Sequence, residues 1–477
     1  MKPIDLSKYE SYRGLPPLAG LATIAEAARP GLGIEQCVTR LKRLHYVFVR
    51  LHEILTARIT AEPIYELKSA FSHQAYLCAE HASALRTRVG EMREPPLGLD
   101  EVPHEGLAIF FDEILAAPTT AELLVGVYDH AFAAVWGAMD SYMEETNPLC
   151  DAPSIRLCRF ARLEVSDALD YGARAIHCLV DEPTRKGMSS WEGTLRSSLD
   201  ASGLLYDATE PVEMPERMHS AKPYTYDPEP KRDERFRDLW NQGVNPEAFL
   251  YDPEFAPQPK TLMMLFKRIR EIDVPEMMAS IIHQTRGKPW KYYRDMSRQL
   301  WDEARHAMMG EVGFASLGVD WTQARISHNW STRLNTECTP MERHAVLFFI
   351  EQGLMTRTGK RYEWEVGTAS GDPLVKTMQD FDWADEVLHA QLGREWYVKE
   401  FGDLKAALDY GDQCWARITS NWTTVRDLGL TSHESWWPAI YRQACRAWGV
   451  DPDPRVLAYQ TTYETQRADL KAVSGSA

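Results

Sequence analysis

The sequence Asp302-Glu303-Ala304-Arg305-His306 returns eighty-three residues later as Asp385-Glu386-Val387-Leu388-His389. Positions i and i+3 share a helix face, so each copy sets a carboxylate beside an imidazole. One Glu-x-x-His arises often by chance. Two, each led by Asp and each inside a long helical pattern, confine the chain to folds in which both helices turn these faces to a common interior. Four-helix bundles that hold two iron or manganese ions use two such pairs plus one Glu from each of the other two helices.

That demand directs a search for two more glutamates. The helix before the first motif offers Glu271 and Glu276, and the helix between the motifs offers Glu342 and Glu351. Glu276 lies in Val274-Pro275-Glu276-Met277-Met278 and Glu351 in Phe348-Phe349-Ile350-Glu351, apolar settings where an unpaired carboxylate is costly. Glu271 and Glu342 have charged neighbours and read as solvated. The expected metal ligands are therefore Glu276, Glu303, His306, Glu351, Glu386 and His389. Four carboxylates and two neutral imidazoles balance two divalent ions, and hard oxygen with imidazole suits Fe(II) or Mn(II). Asp302 and Asp385 are expected to accept the remaining ring N–H of the ligand histidine in the other motif, fixing its tautomer, with Arg305 paired to one of them.

The rest of the chain bounds the setting. At 477 residues it needs more than one core. A net charge of −16 argues against a protein that mainly coats phosphate backbones. The eight cysteines contain no Cys-x-x-Cys, which removes a thiolate iron site and reads as reduced thiols of a cytoplasmic protein. No run approaches membrane-spanning length.

Apolar spacing predicts an all-α protein with no strands. Residues 1–205 read as a helical domain with four long helices, at about 33–59, 63–92, 119–145 and 154–180. Nine prolines between Pro211 and Pro259 mark 206–258 as a linker, and its aromatic residues mark it as packed. The dimetal domain spans 259–402, with helices at about 260–286, 289–317, 339–356 and 374–402. A Trp-rich helical extension, 403–477, reads most simply as packing, with closure of the pocket or a homodimer interface as the alternatives.

Arg270-Glu271-Ile272-Asp273-Val274-Pro275-Glu276, the two Asp-Glu-x-x-His motifs and Glu351-Gln352-Gly353-Leu354 together resemble the ferritin-like diiron-carboxylate superfamily. The likeness is strongest to a bacterial branch that in turn resembles the ferritin-like tRNA hydroxylases. It covers about 260–400. The resemblance implies a ferritin-like four-helix bundle, bridging roles for Glu303 and Glu386, and terminal roles for Glu276 and Glu351. It also implies two iron ions (Fe/Fe, with Mn/Fe the variant), an external electron donor, and O2 activation for hydroxylation, N-oxygenation or desaturation of a small molecule. A tRNA-base hydroxylase is the alternative enzyme, which acidity disfavours. A ferroxidase or a non-catalytic dimetal protein is the alternative outside that class.

Other features carry less. His283 and His344 lie seven residues from Glu276 and Glu351, two helical turns along the same faces, and read as an extra ligand, a substrate contact or core histidines. The run Arg286–Arg294 mixes bases with aromatics and reads first as a solvated loop anchored by its aromatics, with a site for an anionic substrate or RNA as the alternative. Trp301 and Trp383, just before the motifs, read as core fillers or electron relays. In the first half, Glu53 to Glu80 repeats the 27-residue step from Glu276 to Glu303, and Glu80 to Glu164 is 84 residues against 83 from Glu303 to Glu386. This predicts a second, degenerate ferritin-like bundle, with Ser83 and Asp167 where the histidines would stand.

Overall fold

In a computed structural model, residues 5–206, 213–419 and 423–463 are described. Every regular element among them is helical. The helical reading of 464–470 and Trp422 lie outside the described residues. No helix is long and apolar enough to cross a membrane. The chain forms two compact units: residues 1–55 with 74–226, and residues 56–73 with 227–477. The division falls inside the Pro-rich stretch rather than on either side of it, and the Trp-rich helices after 402 belong to the second unit rather than to a separate extension.

The first unit is built on α1 (Ile34–Ala61) and α2 (Tyr65–Met92), whose end and beginning respectively fall in the second unit. The spacing of Leu41, Leu44, Val47, Leu51, Ile54 and Leu55 buries that whole stripe of α1. There follow α3 (Glu105–Leu115), α4 (Ala133–Glu145), α5 (Ala152–Leu179) and α6 (Ser189–Ala201). A π-helical stretch, Val125–Phe132, leads into α4. Helices α3 and α6 pack on each other and escape the sequence reading.

In the second unit, the Thr60 hydroxyl donates to the Asp227 carbonyl at 2.6 Å and the Lys231 amide to the Thr60 carbonyl, which fastens 56–73 to the proline-rich segment. That segment has no long helix but buries Phe236, Phe249 and Leu250. Its short helix α7 (Pro246–Tyr251) precedes α8 (Pro257–Arg270) and α9 (Asp273–Gln284). The pattern read as one helix over 260–286 is therefore two. Pro275 has no N–H to give the Glu271 carbonyl and its ring crowds that turn, so the helix breaks at Glu271-Ile272. Helix α10 (Trp290–Ser316) carries the first motif. After α11 (Asn329–Glu337), α12 (Pro340–Leu354) opens on a capping box in which Glu342 bonds back to Thr339, a second use for that carboxylate. Then come α13 (Lys360–Ala369), α14 (Pro373–Gly393) with the second motif, α15 (Leu404–Thr419) and α16 (Trp437–Trp448).

Helices α9, α10, α14 and α12 pack in a closed ring, each touching the next. Helix α8 lies along α10, where Gly310 and Gly313 leave no room for a side chain: a Cβ at Gly310 would strike the backbone of Ile269 and Leu265. That close approach brings the α8–α9 break beside the first motif.

Candidate metal centre

Each motif helix presents a buried stripe at spacings of three and four: Gln299, Asp302, Glu303 and His306 on α10, and Asp382, Asp385, Glu386 and His389 on α14. The stripes are equivalent position by position. Their ligand-bearing atoms gather into two groups, one of Glu271, His306, Asp382 and Glu386, the other of Glu303, Glu351, Glu386 and His389. These buried Glu, His and Asp clusters could hold metal.

In the first group, His306 Nδ1 lies 3.4 Å from Glu271 and 3.6 Å from both Glu303 and Asp382. In the second, His389 Nδ1 lies 3.1 Å from Glu303, 3.3 Å from Glu386 and 4.0 Å from Glu351. The outer ring nitrogens cross over. His306 Nε2 is 3.1 Å from Asp385, and His389 Nε2 is 3.4 Å from Asp302. Arg305 donates to both aspartates and Arg298 binds Asp302 at 2.9 Å, so each aspartate is held while it orients its histidine.

Glu276, expected as the fourth carboxylate ligand, is not among these residues. It is fully buried between Lys68, at 2.5 Å, and Arg232, at 2.9 Å, with the Ser331 hydroxyl donating to it at 3.1 Å. Its apolar neighbours did signal burial, but the compensating cations come from residues 68 and 232, far away in sequence. Glu271, passed over because charges flank it, stands beside His306 instead. One of those charges, Arg268, is itself buried and donates to Glu271 at 2.9 Å and to Asp382. The correction also removes the 27-residue step from the argument for duplication, because its starting point is not a ligand position. Glu164 meets His81 at 2.8 Å and Glu53 meets Arg50 at 3.2 Å. Among the described residues, neither these two nor Glu80 joins a potential ligand group, and Asp167 is exposed.

His283 and His344 also fall outside both groups. His344 is enclosed by the rings of Tyr292 and Tyr397, and burial lowers its pKa to about 4. Sequence reasoning missed Asp382, Gln299, Arg268 and Lys360. The first two were in reach, since each stands four residues before a motif glutamate. Gln299 donates to Glu351 at 3.0 Å. Lys360, the first residue of α13, had no local signal. Its buried ammonium lies 2.8 Å from Asp382, 2.9 Å from Glu386 and 3.7 Å from Glu271.

The donor set fits divalent metal on two counts. First, Glu271 Oε2, Glu303 Oε1, Glu351 Oε2 and His306 Nδ1 are buried without a well-aligned hydrogen bond, their nearest partners being the facing histidine and carboxylate atoms of the same two groups. Second, the charges are strained in the direction that a metal ion would relieve. Burial and the negative charges of Glu386 and Glu303 hold Glu351 well above the usual carboxylate range. Burial alone would lower His306 and His389, yet the surrounding carboxylates raise both well above the ordinary histidine value, so protons occupy the imidazoles that a metal would displace.

A cavity of about 150 Å³ adjoins the centre. Glu271, Glu303, Glu351 and Glu386 form part of its wall, and the rest is mostly apolar, with Met277, Trp330, Ile350 and Trp415 prominent. Comparison with family models, curated proteins and solved structures finds no match to this chain.

Proposed function

We propose that the second unit is a ferritin-like dimetal-carboxylate enzyme that uses two iron ions and O2 to oxidise a small, mostly apolar organic molecule. The observation that carries this reading is the crossed pairing of His306 with Asp385 and His389 with Asp302, around inward-turned carboxylate and imidazole atoms that face one another without well-aligned hydrogen bonds. Glu271, His306 and Asp382 on one side, Glu303, Glu351 and His389 on the other, and Glu386 between them would hold the ions, which supply O2 reduction and a strong oxidant when bound. The protein residues do the remaining work. Asp302 and Asp385 keep the ring protons of the two histidines on Nε2, leaving Nδ1 free to bind. The apolar wall excludes water and places a substrate against the carboxylates. An organic substrate is favoured over iron alone because a ferroxidase has no need of an apolar chamber at its metal ligands.

The test is anaerobic loading with Fe(II), followed by O2 with optical monitoring. The expected result is two ions per chain, O2 consumption and a transient coloured species, with metal lost in a His306→Ala/His389→Ala variant. Equal metal in variant and wild type, or a ferrous protein inert to air, would reject the reading.

A further inference from the structure

The two motif stripes match position by position, but the residues four before the motif glutamates differ in charge. Beside His389 that residue is Gln299, a neutral amide bonded to Glu351. Beside His306 it is Asp382, and two buried cations accompany it. Lys360 touches Asp382, Glu386 and Glu271, while Arg268 touches Asp382 and Glu271. Arg268 also reaches Glu363 at 3.5 Å, but Glu363 is paired with Lys267. Setting aside Glu386, which both groups share, the carboxylates belonging to the His306 position, Glu271 and Asp382, are matched by two cations. Among the described residues, the His389 position has Glu303 and Glu351, and no buried lysine or arginine pairs with either.

We propose that the two metal positions are unequal: the ion at Glu303, Glu351, Glu386 and His389 binds first and tightly, and the tethered ammonium of Lys360 holds back the ion at Glu271, His306 and Asp382. This rests on the dimetal reading above. A divalent ion entering the His306 position meets a charge that already satisfies three of its carboxylates, one of them Glu386, which both positions share. Buried charges a few ångströms apart interact strongly, so the second ion binds at least about tenfold more weakly than the first. Binding there requires the ammonium to swing away from Asp382 and Glu386, which links the second ion to movement at the start of α13.

The experiment is stepwise Mn(II) loading of the metal-free full chain, followed by calorimetry and by anomalous diffraction after one equivalent. Expected are two separated binding steps, with density after one equivalent on the His389 side. Equal filling of both positions, or filling of the His306 side first, overturns the proposal while leaving the dimetal reading intact. No manganese at either position overturns both. In a Lys360→Met variant shown by melting to be folded, the two affinities converge, whereas Lys360→Arg keeps them apart. An unchanged gap in folded Lys360→Met also overturns the assignment to Lys360.

Discussion

Glu271 and Glu276 are five residues apart, and their amide replacements are predicted to fail in opposite ways. Glu276 neutralises Lys68 and Arg232, both buried with it. Its carboxyl is pulled down to about 2: burial would raise it, but the two cations more than offset that. Removing one partner of a buried ion network strands the others, at a cost of about 3–5 kcal/mol. Glu276→Gln should therefore lower the melting temperature markedly and leave metal content per folded chain unchanged. Glu271→Gln removes one inward oxygen beside His306 and should weaken one ion with a small effect on the metal-free melt. Melting curves and elemental analysis of the two variants separate the cases, and metal loss in Glu276→Gln would restore it as a ligand. The pair also marks how far local sequence reaches. A buried carboxylate is legible from its apolar neighbours, but whether a metal or two distant cations neutralise it is a tertiary fact. Glu303, His306, Glu386 and His389 were legible because their spacing alone places them on one face.

At the scale of elements, the centre depends on how close α8 comes to α10. The interval between the glycine pair and the motif, His306 to Gly310 to Gly313, continues the same buried stripe, so the contact that seats α8 lies one turn beyond His306. Gly310→Ala would force the Ile269 backbone outward, and overpacking of this kind costs about 1–3 kcal/mol. The shift would also move Glu271, which follows α8 directly. The expected outcome is a lower melting temperature together with weaker binding at the His306 position. An alanine variant with wild-type melting and metal affinity would show that the contact does not position Glu271. Helices α10, α12 and α14, the last continuing through a π-helical stretch (Arg394–Val398) to Phe401, were readable to within a few residues, because the Thr339 and Asp372 caps and flanking prolines mark their starts. The break after α8 was written in Pro275, but a continuous apolar pattern on both sides concealed it. Helices α3 and α6, of 11 and 13 residues, carry an apolar face, so they were in reach of the same spacing argument.

For the whole molecule, both groups that could hold metal among the described residues lie in the second unit. A Glu53→Gln/Glu164→Gln variant should hold as much iron as wild type by elemental analysis, and a reduced content would place a second centre in residues 1–55 with 74–226. Stability against acid is likewise spread over both units. His45 in the first unit and His328 and His344 in the second are buried, and burial above all depresses each from 6.5 to about 4. A neutral buried histidine contributes nothing while the unfolded chain is also neutral. As pH falls below 6.5 the unfolded state takes up a proton that the native state refuses, so stability is lost until about pH 4, by at most about 3 kcal/mol per group. Other groups act differently in this window. Asp273, raised by burial to about 6 despite Arg232, binds its proton in the native state first and stabilises as pH falls. Glu351, raised above 4.5, acts with the same sign as Asp273. His306 and His389 are raised rather than lowered, so their contribution is complete by pH 6.5 and gives no slope beneath it. The total is a sum of opposing signs, and a difference measurement isolates one member. His344→Phe keeps an aromatic ring between Tyr292 and Tyr397 and removes the titration. In urea melts of the metal-free chain, wild type should lose stability relative to His344→Phe between pH 6.5 and 4, with no change in their difference above pH 7. A constant difference across the whole range would mean that His344 is protonated in the native state as readily as in the unfolded one.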